Sequence, residues 1–226
     1  MVRSFLGKAT AMALVLIAIG GAAEAASPQQ ELVEKAALTA DKMINDPGLP
    51  SLRATLKQAK AVLIMPSLIK GGFILGAEGG SGVLLARNAQ GTWSDPAFYT
   101  LGSGSIGLQA GVQDSEVILV VVTQKGLNAI LDKPFKLGAD GSVAAGPIGG
   151  AGVSAGTTAG LGADIYSFAS TRGVFAGLSL DGTAIVKRDE WNAAYYGKGA
   201  TPKGILIERR FSNPAADKLR QALVPK

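Results

Sequence analysis

Apolar residues change their spacing twice along the 226-residue chain. Leu32, Ala36, Ala40, Met43 and Ile44 recur at the interval of one helical face. Ser27 as N-cap, Pro28 at the first helical position and Gln30 completing a capping box open this helix, and Asp46-Pro47-Gly48 closes it. A second helix is predicted from about Ser51, with Leu52, Leu56 and Ala59 on one side. Arg53, Lys57 and Lys60 follow at i, i+4 and i+7, which predicts a basic stripe beside that apolar face.

From residue 61 the period becomes two, or short unbroken apolar runs appear. Ala61 to Met65 reads as a buried strand closed by Pro66. Phe73 to Ala77 and Val83 to Ala86 flank Glu78-Gly79-Gly80-Ser81-Gly82, which predicts a hairpin turning there. Further strands are predicted over Phe98–Leu101, Ile106–Val112, Val117–Val122, Val153–Thr158, Asp164–Ala169, Val174–Leu180 and Thr183–Val186. Thr123 caps a short helix through Leu127, Ile130 and Leu131 that Lys133-Pro134 stops. Trp191–Tyr196 reads as one or two helical turns, and Asn213-Pro214 caps a last helix with Leu219, Ala222 and Leu223. The low-complexity stretch from Gly138 to Gly162, after a turn at Gly138–Gly141, is either a mobile loop or packed Gly/Ala strands, and the resumed alternation favours strands.

Many short strands with few helices between them disfavour a parallel βαβ sheet. The pattern predicts a single α+β domain: a glycine-rich, antiparallel, curved or barrel-like sheet with flanking N- and C-terminal helices. Its parts are a helical start over 28–60, a β-rich core over 61–187 and a basic segment over 188–226. Residues 1–25 are an address rather than part of the domain. Arg3 and Lys8 precede the apolar run Ala11–Ile19, and Ala23-Glu24-Ala25 matches a signal-peptidase site. That run is too short to span a bilayer, which takes about 20 residues. Cleavage after Ala25 and export to a bacterial periplasm are expected, with no cysteine to carry a lipid anchor.

Composition then removes whole classes of chemistry. There is no cysteine and no histidine, so disulfides, thiolate or Ser-His-Asp catalysis and the usual zinc sets are excluded. Charged residues make up 17% and there are 31 glycines. Residues 26–70 carry six Lys/Arg against four Asp/Glu, residues 71–186 five against eight, and residues 187–226 nine against four. The basicity therefore lies at the two ends.

Gly102-Ser103-Gly104-Ser105-Ile106-Gly107 matches a dinucleotide fingerprint, yet alternating residues follow it where a helix N-terminus is required. It reads as a strand. Glu78, Asp95, Asp114, Glu116, Asp164 and Asp181 could serve carboxylate catalysis, but most sit beside Gly or Pro, where they form turns. No cofactor is called for, and a non-enzymatic role is expected. The stripe Arg53, Lys57, Lys60, extended by Lys70, is either a solvated face or a helix lying on an anionic surface, with Leu68 and Ile69 as apolar wedges. The C-terminal block around Lys187, Arg188, Arg209, Arg210, Lys218 and Arg220 has no stacking platform near it, so nucleic acid is not the expected partner.

Several ordered blocks resemble the SYLF domain family. They are Ala61-Val62-Leu63-Ile64-Met65-Pro66 running into Lys70-Gly71-Gly72-Phe73, Gly79-Gly80-Ser81-Gly82-Val83 and Trp93-Ser94-Asp95-Pro96-Ala97-Phe98-Tyr99. Gly104–Gln109, Phe135–Gly138, Ala163–Ser167 and Gly173–Leu180 follow in the same order. The resemblance runs from about Leu32 to Tyr196 and implies a lipid-binding module. Eukaryotic members bind phosphoinositide membranes through a basic, amphipathic N-terminal part, and some bind actin. Carried to an exported chain, the resemblance implies an anionic phospholipid surface met by Arg53, Lys57, Lys60 and Lys70, to which the wedge reading adds Leu68 and Ile69. The alternative is a structural or envelope-stress protein binding envelope protein partners.

Overall fold

The computed structural model describes residues 26–72, 75–106, 111–145, 162–171, 174–176, 180 and 182–224. Helix α1 spans Pro28–Ile44, and Ser27 Oγ accepts from Gln30 N at 3.2 Å. Only that half of the expected capping box forms. The Gln30 side chain turns away, donating to Glu34 and to the Ala215 carbonyl while accepting from the Tyr195 hydroxyl at 2.8 Å. It thereby ties the first helix to the C-terminal part. Val33, Ala36, Thr39, Ala40, Met43 and Ile44 are buried, whereas Leu32 is only half-buried.

Helix α2, Pro50–Leu56, is shorter than the apolar spacing predicts. Lys57 is its C-cap, and the Lys60 amide already donates to the Val121 carbonyl in the sheet. The predicted helical stripe Arg53–Lys57–Lys60 is thus broken, because the chain leaves the helix to enter the first strand.

The strands are β1 Ala61–Gly72, β2 Leu75–Ala86, β3 Ala97–Ile106, β4 Gly111–Val121, β5 Phe135–Lys136, β6 Val143–Ala145, β7 Ile165–Thr171, β8 Val174–Ala176 and β9 Ala184–Lys187. They form one mixed sheet curled into a half-barrel, in the order β5-β9-β3-β2-β1-β4-β7-β6, with β8 paired to β7. Every described pairing between these strands is antiparallel except β6 with β7. The remaining helices are α3 Gln124–Asp132, α4 Asp189–Tyr196, α5 Pro202–Leu206 and α6 Asp217–Ala222, the last entered through a 3-10 turn at Pro214–Ala216. Thr123 caps α3 as expected, whereas Asn213 caps the 3-10 turn and not α6 itself, which has no side-chain cap.

Four expectations need correction. Glu78–Gly82 is not a turn but the middle of β2, paired on both sides. Pro66 does not end β1; the strand bulges between Met65 and Leu68 and continues. Ile106 and Val112 belong to different strands, β3 and β4. Strands β5 and β6 and helix α5 were not predicted, being too short to show a period. The expected strand Val153–Thr158 lies outside the described residues.

Glycine explains the first correction. A Cβ on Gly82 would lie 2.5 Å from the Ile64 carbonyl oxygen and run into Met65 Sδ. One on Gly80 would meet the Ser67 carbonyl and come within 3.1 Å of Met65 Cε. These glycines admit the β1 bulge rather than reverse the chain.

Strand β1 is buried on both faces. Leu63, Met65 and Leu68 join Leu84, Tyr99, Leu119 and Phe135 in one core, covered by α3 and α5. Val62 and Ile64 join Phe98, Ile118 and Val120 in the other, covered by α1, α2 and α6. Each such aliphatic side chain contributes about 1.5–3 kcal/mol on burial. Beyond these cores the central strands run on into solvent, where Ile69 is 52% and Val112 78% exposed.

Candidate functional site

The six residues expected to meet a membrane do not form one surface. Arg53 is half-buried, and its Nη1 donates to the Ile44 carbonyl at 3.2 Å, closing the end of α1. Leu68 is buried in a core and is not available as a wedge. Ile69 is exposed, and Lys70 Nζ lies 3.7 Å from Glu78 Oε2. Lys60 and Lys70 stand at opposite ends of β1, separated by roughly 30 Å at strand rise. Only Lys57 and Lys60 come together.

They do so in a cleft of about 480 Å³ that Arg87, Asn88 and Gln124 also line and that no carboxylate enters. Arg87, at the end of β2, is the organising side chain. Its Nε donates to the Gly91 carbonyl at 3.0 Å, and its Nη1 to the Leu56 and Lys57 carbonyls at 3.4 and 3.2 Å. A cation here complements the negative end of α2. The guanidinium also lies 5.6 Å from the centre of the Trp93 ring. Gly91 must be glycine: its φ is +82°, and a Cβ would sit 3.3 Å from Arg87 Nη2.

Across Gly91 lies a second cleft of about 720 Å³, between the β2–β3 connection and the C-terminal segment. Arg220 Nη1 pairs with Asp95 Oδ2 at 2.5 Å and its Nη2 with Asp217, while Asp95 Oδ1 accepts from Asn213 N at 2.9 Å. Arg209 Nη2 donates to the Thr92 carbonyl at 2.6 Å, from a backbone with φ +53°. Among the described residues, none of Lys57, Lys60, Arg87 and Arg209 is ion-paired. Much of the C-terminal block is, by contrast, spent: Lys187 on Asp189, Arg210 on Glu208, and Arg188 on Glu190, the Ser81 hydroxyl and the Trp191 ring. The sequence reading does not single out Arg87, which is remote in the chain from Lys57 and Lys60, and places Arg209 only in the basic C-terminal block.

The candidate carboxylates have separate structural partners. Asp164 joins three elements: its Oδ1 accepts from the Thr123 hydroxyl at 2.6 Å and its Oδ2 from Ser142 N and Oγ. The Thr123 bond, with those from Ser142 and the nearby Lys125, holds its carboxyl below the usual value against the effect of burial. Glu116 takes Lys42 at 2.6 Å, and Asp114 accepts from Ser67 at 2.7 Å. Glu78 is raised by burial, opposed by Lys70, and its Oε1 has no hydrogen-bond partner. Asp181 lies outside the described residues. Residues Gly102–Ile106 of the glycine motif are strand, as the alternation predicts, and Gly107 lies outside the described residues.

A family profile described as "Ysc84: Las17-binding protein actin regulator" matches residues 102–225. The chain is 35% identical over 170 residues to LAS seventeen-binding protein 3 of Saccharomyces cerevisiae, covering 74% of this chain and 37% of that protein. It is 34% identical over 171 residues to protein YSC84 of the same yeast, covering 74% and 36%. With SH3 domain-containing YSC84-like protein 1 of Xenopus laevis it shares 33% over 142 residues, covering 62% and 41%. The chain thus spans well under half the length of these relatives, one named for binding and another for an SH3 domain. The ordered motifs that resemble SYLF domains and the profile match agree: the chain belongs to the Ysc84 family, the family of SYLF domains.

Proposed function

We propose that this chain is a non-enzymatic module, exported to the periplasm, that binds anionic phospholipid surfaces peripherally through the cations at the ends of α2 and β2. The observation that carries the reading is the cleft shared by Lys57, Lys60 and Arg87, which no carboxylate lines. Near an anionic leaflet each such charge contributes about 1 kcal/mol, so three give a weak, salt-sensitive attraction of about 3 kcal/mol. Among the described residues no helix is long and apolar enough to cross a membrane.

Co-sedimentation of residues 26–226 with vesicles tests it. Binding to phosphatidylglycerol vesicles but not neutral ones, weakened by salt and lost in the K57E/K60E double variant with unchanged melting, is expected. Equal binding to neutral vesicles, or an indifferent double variant, rejects the site. N-terminal sequencing of the secreted protein should begin at Ala26; an intact Met1 rejects export by cleavage.

A protein-binding reading has its own support. The relatives' printed names describe Las17 binding, and an apolar cleft of about 480 Å³ lies between α1 and α6, with Leu38 72% exposed at its rim. Capture of an envelope protein independent of lipid, abolished by L38E, would favour it.

A further inference from the structure

The connection between β2 and β3 is held from both flanks. Arg87 Nε bonds the Gly91 carbonyl at 3.0 Å, and Arg209 Nη2 bonds the next one, Thr92, at 2.6 Å. Two guanidinium groups anchored on consecutive carbonyls lie within roughly 10 Å of each other. Gly91 forms a wall of both clefts, so the two clefts share one rim.

The first cleft carries uncompensated positive charge, whereas the second also holds Asp95 and Asp217. Lys57, Lys60 and Arg87 share the first cleft without a carboxylate. In the second, Arg220 is spent on Asp95 and Asp217, which leaves Arg209 as the cation with unused donors. Arg209 adopts φ +53°, a conformation that disfavours any side chain with a Cβ, and the strain sits at this rim. A guanidinium with free, forked N–H groups matches a phosphate better than any other common anion except a carboxylate.

We propose that the two clefts form one bipartite site for a ligand carrying two phosphate groups on a short linker. One phosphate sits over Lys57, Lys60 and Arg87; the other meets Arg209 across the Gly91–Thr92 peptide. The proposal rests on the lipid reading for its first half and narrows the headgroup. Two phosphodiesters joined through a glycerol have this form, and so does a free diphosphate.

Two arms separate these sources. In the first, diphosphatidylglycerol vesicles are compared with phosphatidylglycerol vesicles at equal total charge. About tenfold tighter binding to the former is expected, the worth of one more charge-assisted contact. Arg209→Gln should bring the two to parity, while Arg210→Gln, at the neighbouring arginine paired with Glu208, should keep the preference. In the second arm, inorganic pyrophosphate is titrated against inorganic phosphate by calorimetry. Pyrophosphate binding that Arg209→Gln weakens, with no vesicle binding, would support the bipartite site and reject the membrane reading. Equal binding of both vesicles at matched charge, with no pyrophosphate preference, would overturn the bipartite site and leave the membrane reading standing. A preference that survives Arg209→Gln also overturns it.

Discussion

Arg87 reaches from the end of strand β2 to the last carbonyls of helix α2, its Nη1 3.2 Å from the Lys57 carbonyl oxygen. The side chain that helps form the anion-attracting cleft therefore also terminates the helix that delivers Lys57 to it. Arg87→Ala should cost about 2 kcal/mol of stability in urea unfolding, from lost carbonyl bonds, the helix-end charge and the Trp93 contact. Arg87→Lys should recover less than half, since a point charge cannot serve the Leu56, Lys57 and Gly91 carbonyls together. Equal stability of the two variants would contradict this account.

Gly82→Ala and Gly104→Ala form a matched pair. The first places a methyl group against Met65 and the Ile64 carbonyl; the second meets nothing within 4 Å. Expected losses are about 2–3 kcal/mol for Gly82→Ala and under about 0.5 kcal/mol for Gly104→Ala. Thermal melts of the two variants provide the check.

Asp164 and Glu78 should shift acid stability in opposite senses. Asp164 is held below its ordinary value of 3.8, first by Thr123. Its contribution is complete above that value and is lost as the pH falls through the lower value of the folded state. Glu78 is raised above 4.5 by burial, so the folded state binds its proton more tightly than the unfolded one, and ionisation weakens the fold as pH rises through that window. Asp164→Asn should destabilise at neutral pH and flatten the acid loss. Glu78→Gln should leave neutral-pH stability unchanged or higher, because exposed Lys70 stays solvated. Unfolding free energies of both variants across about pH 2 to 7 would reveal the reverse ordering if the assignments are wrong.

The Asp95–Arg220 pair links the β2–β3 connection to α6. Arg220→Met leaves Asp95, whose side chain is 11% exposed, with only the Asn213 amide. A loss of about 2–3 kcal/mol is expected, read as an earlier denaturant midpoint at unchanged slope. An unshifted midpoint would show that α6 is held by Leu219 and Leu223 alone.

Most of the helices were legible because their signals are local: Ser27 with Pro28, Thr123 and Asn213 each declare a start within three residues, and the apolar spacing gives the buried face, whereas five-residue α5 is too short to show one. The curved α+β sheet followed from alternation and scarce helices. Glu78–Gly82 was misread because glycine for turning and glycine for close approach look alike in one strand; the difference resides in Met65 and Ser67 on another. The candidate site was half legible for the same reason. Lys57 and Lys60 are neighbours in sequence, but the side chain that completes their cleft, Arg87, arrives through long-range strand pairing, and Arg209 lines the adjoining cleft from the C-terminal segment.

The glycine gaps opposite the β1 bulge also answer a problem created by burial on two sides. Val62, Leu63, Ile64 and Met65 are all apolar, so sliding β1 by one residue would exchange its faces at little hydrophobic cost. Alternation cannot choose between the two alignments. The vacancies at Gly80 and Gly82 can, because only one alignment offers them to Met65 and Ser67. They work as a key and its lock: the side chains β2 lacks dictate how its neighbour is threaded, and with it where Lys60 emerges.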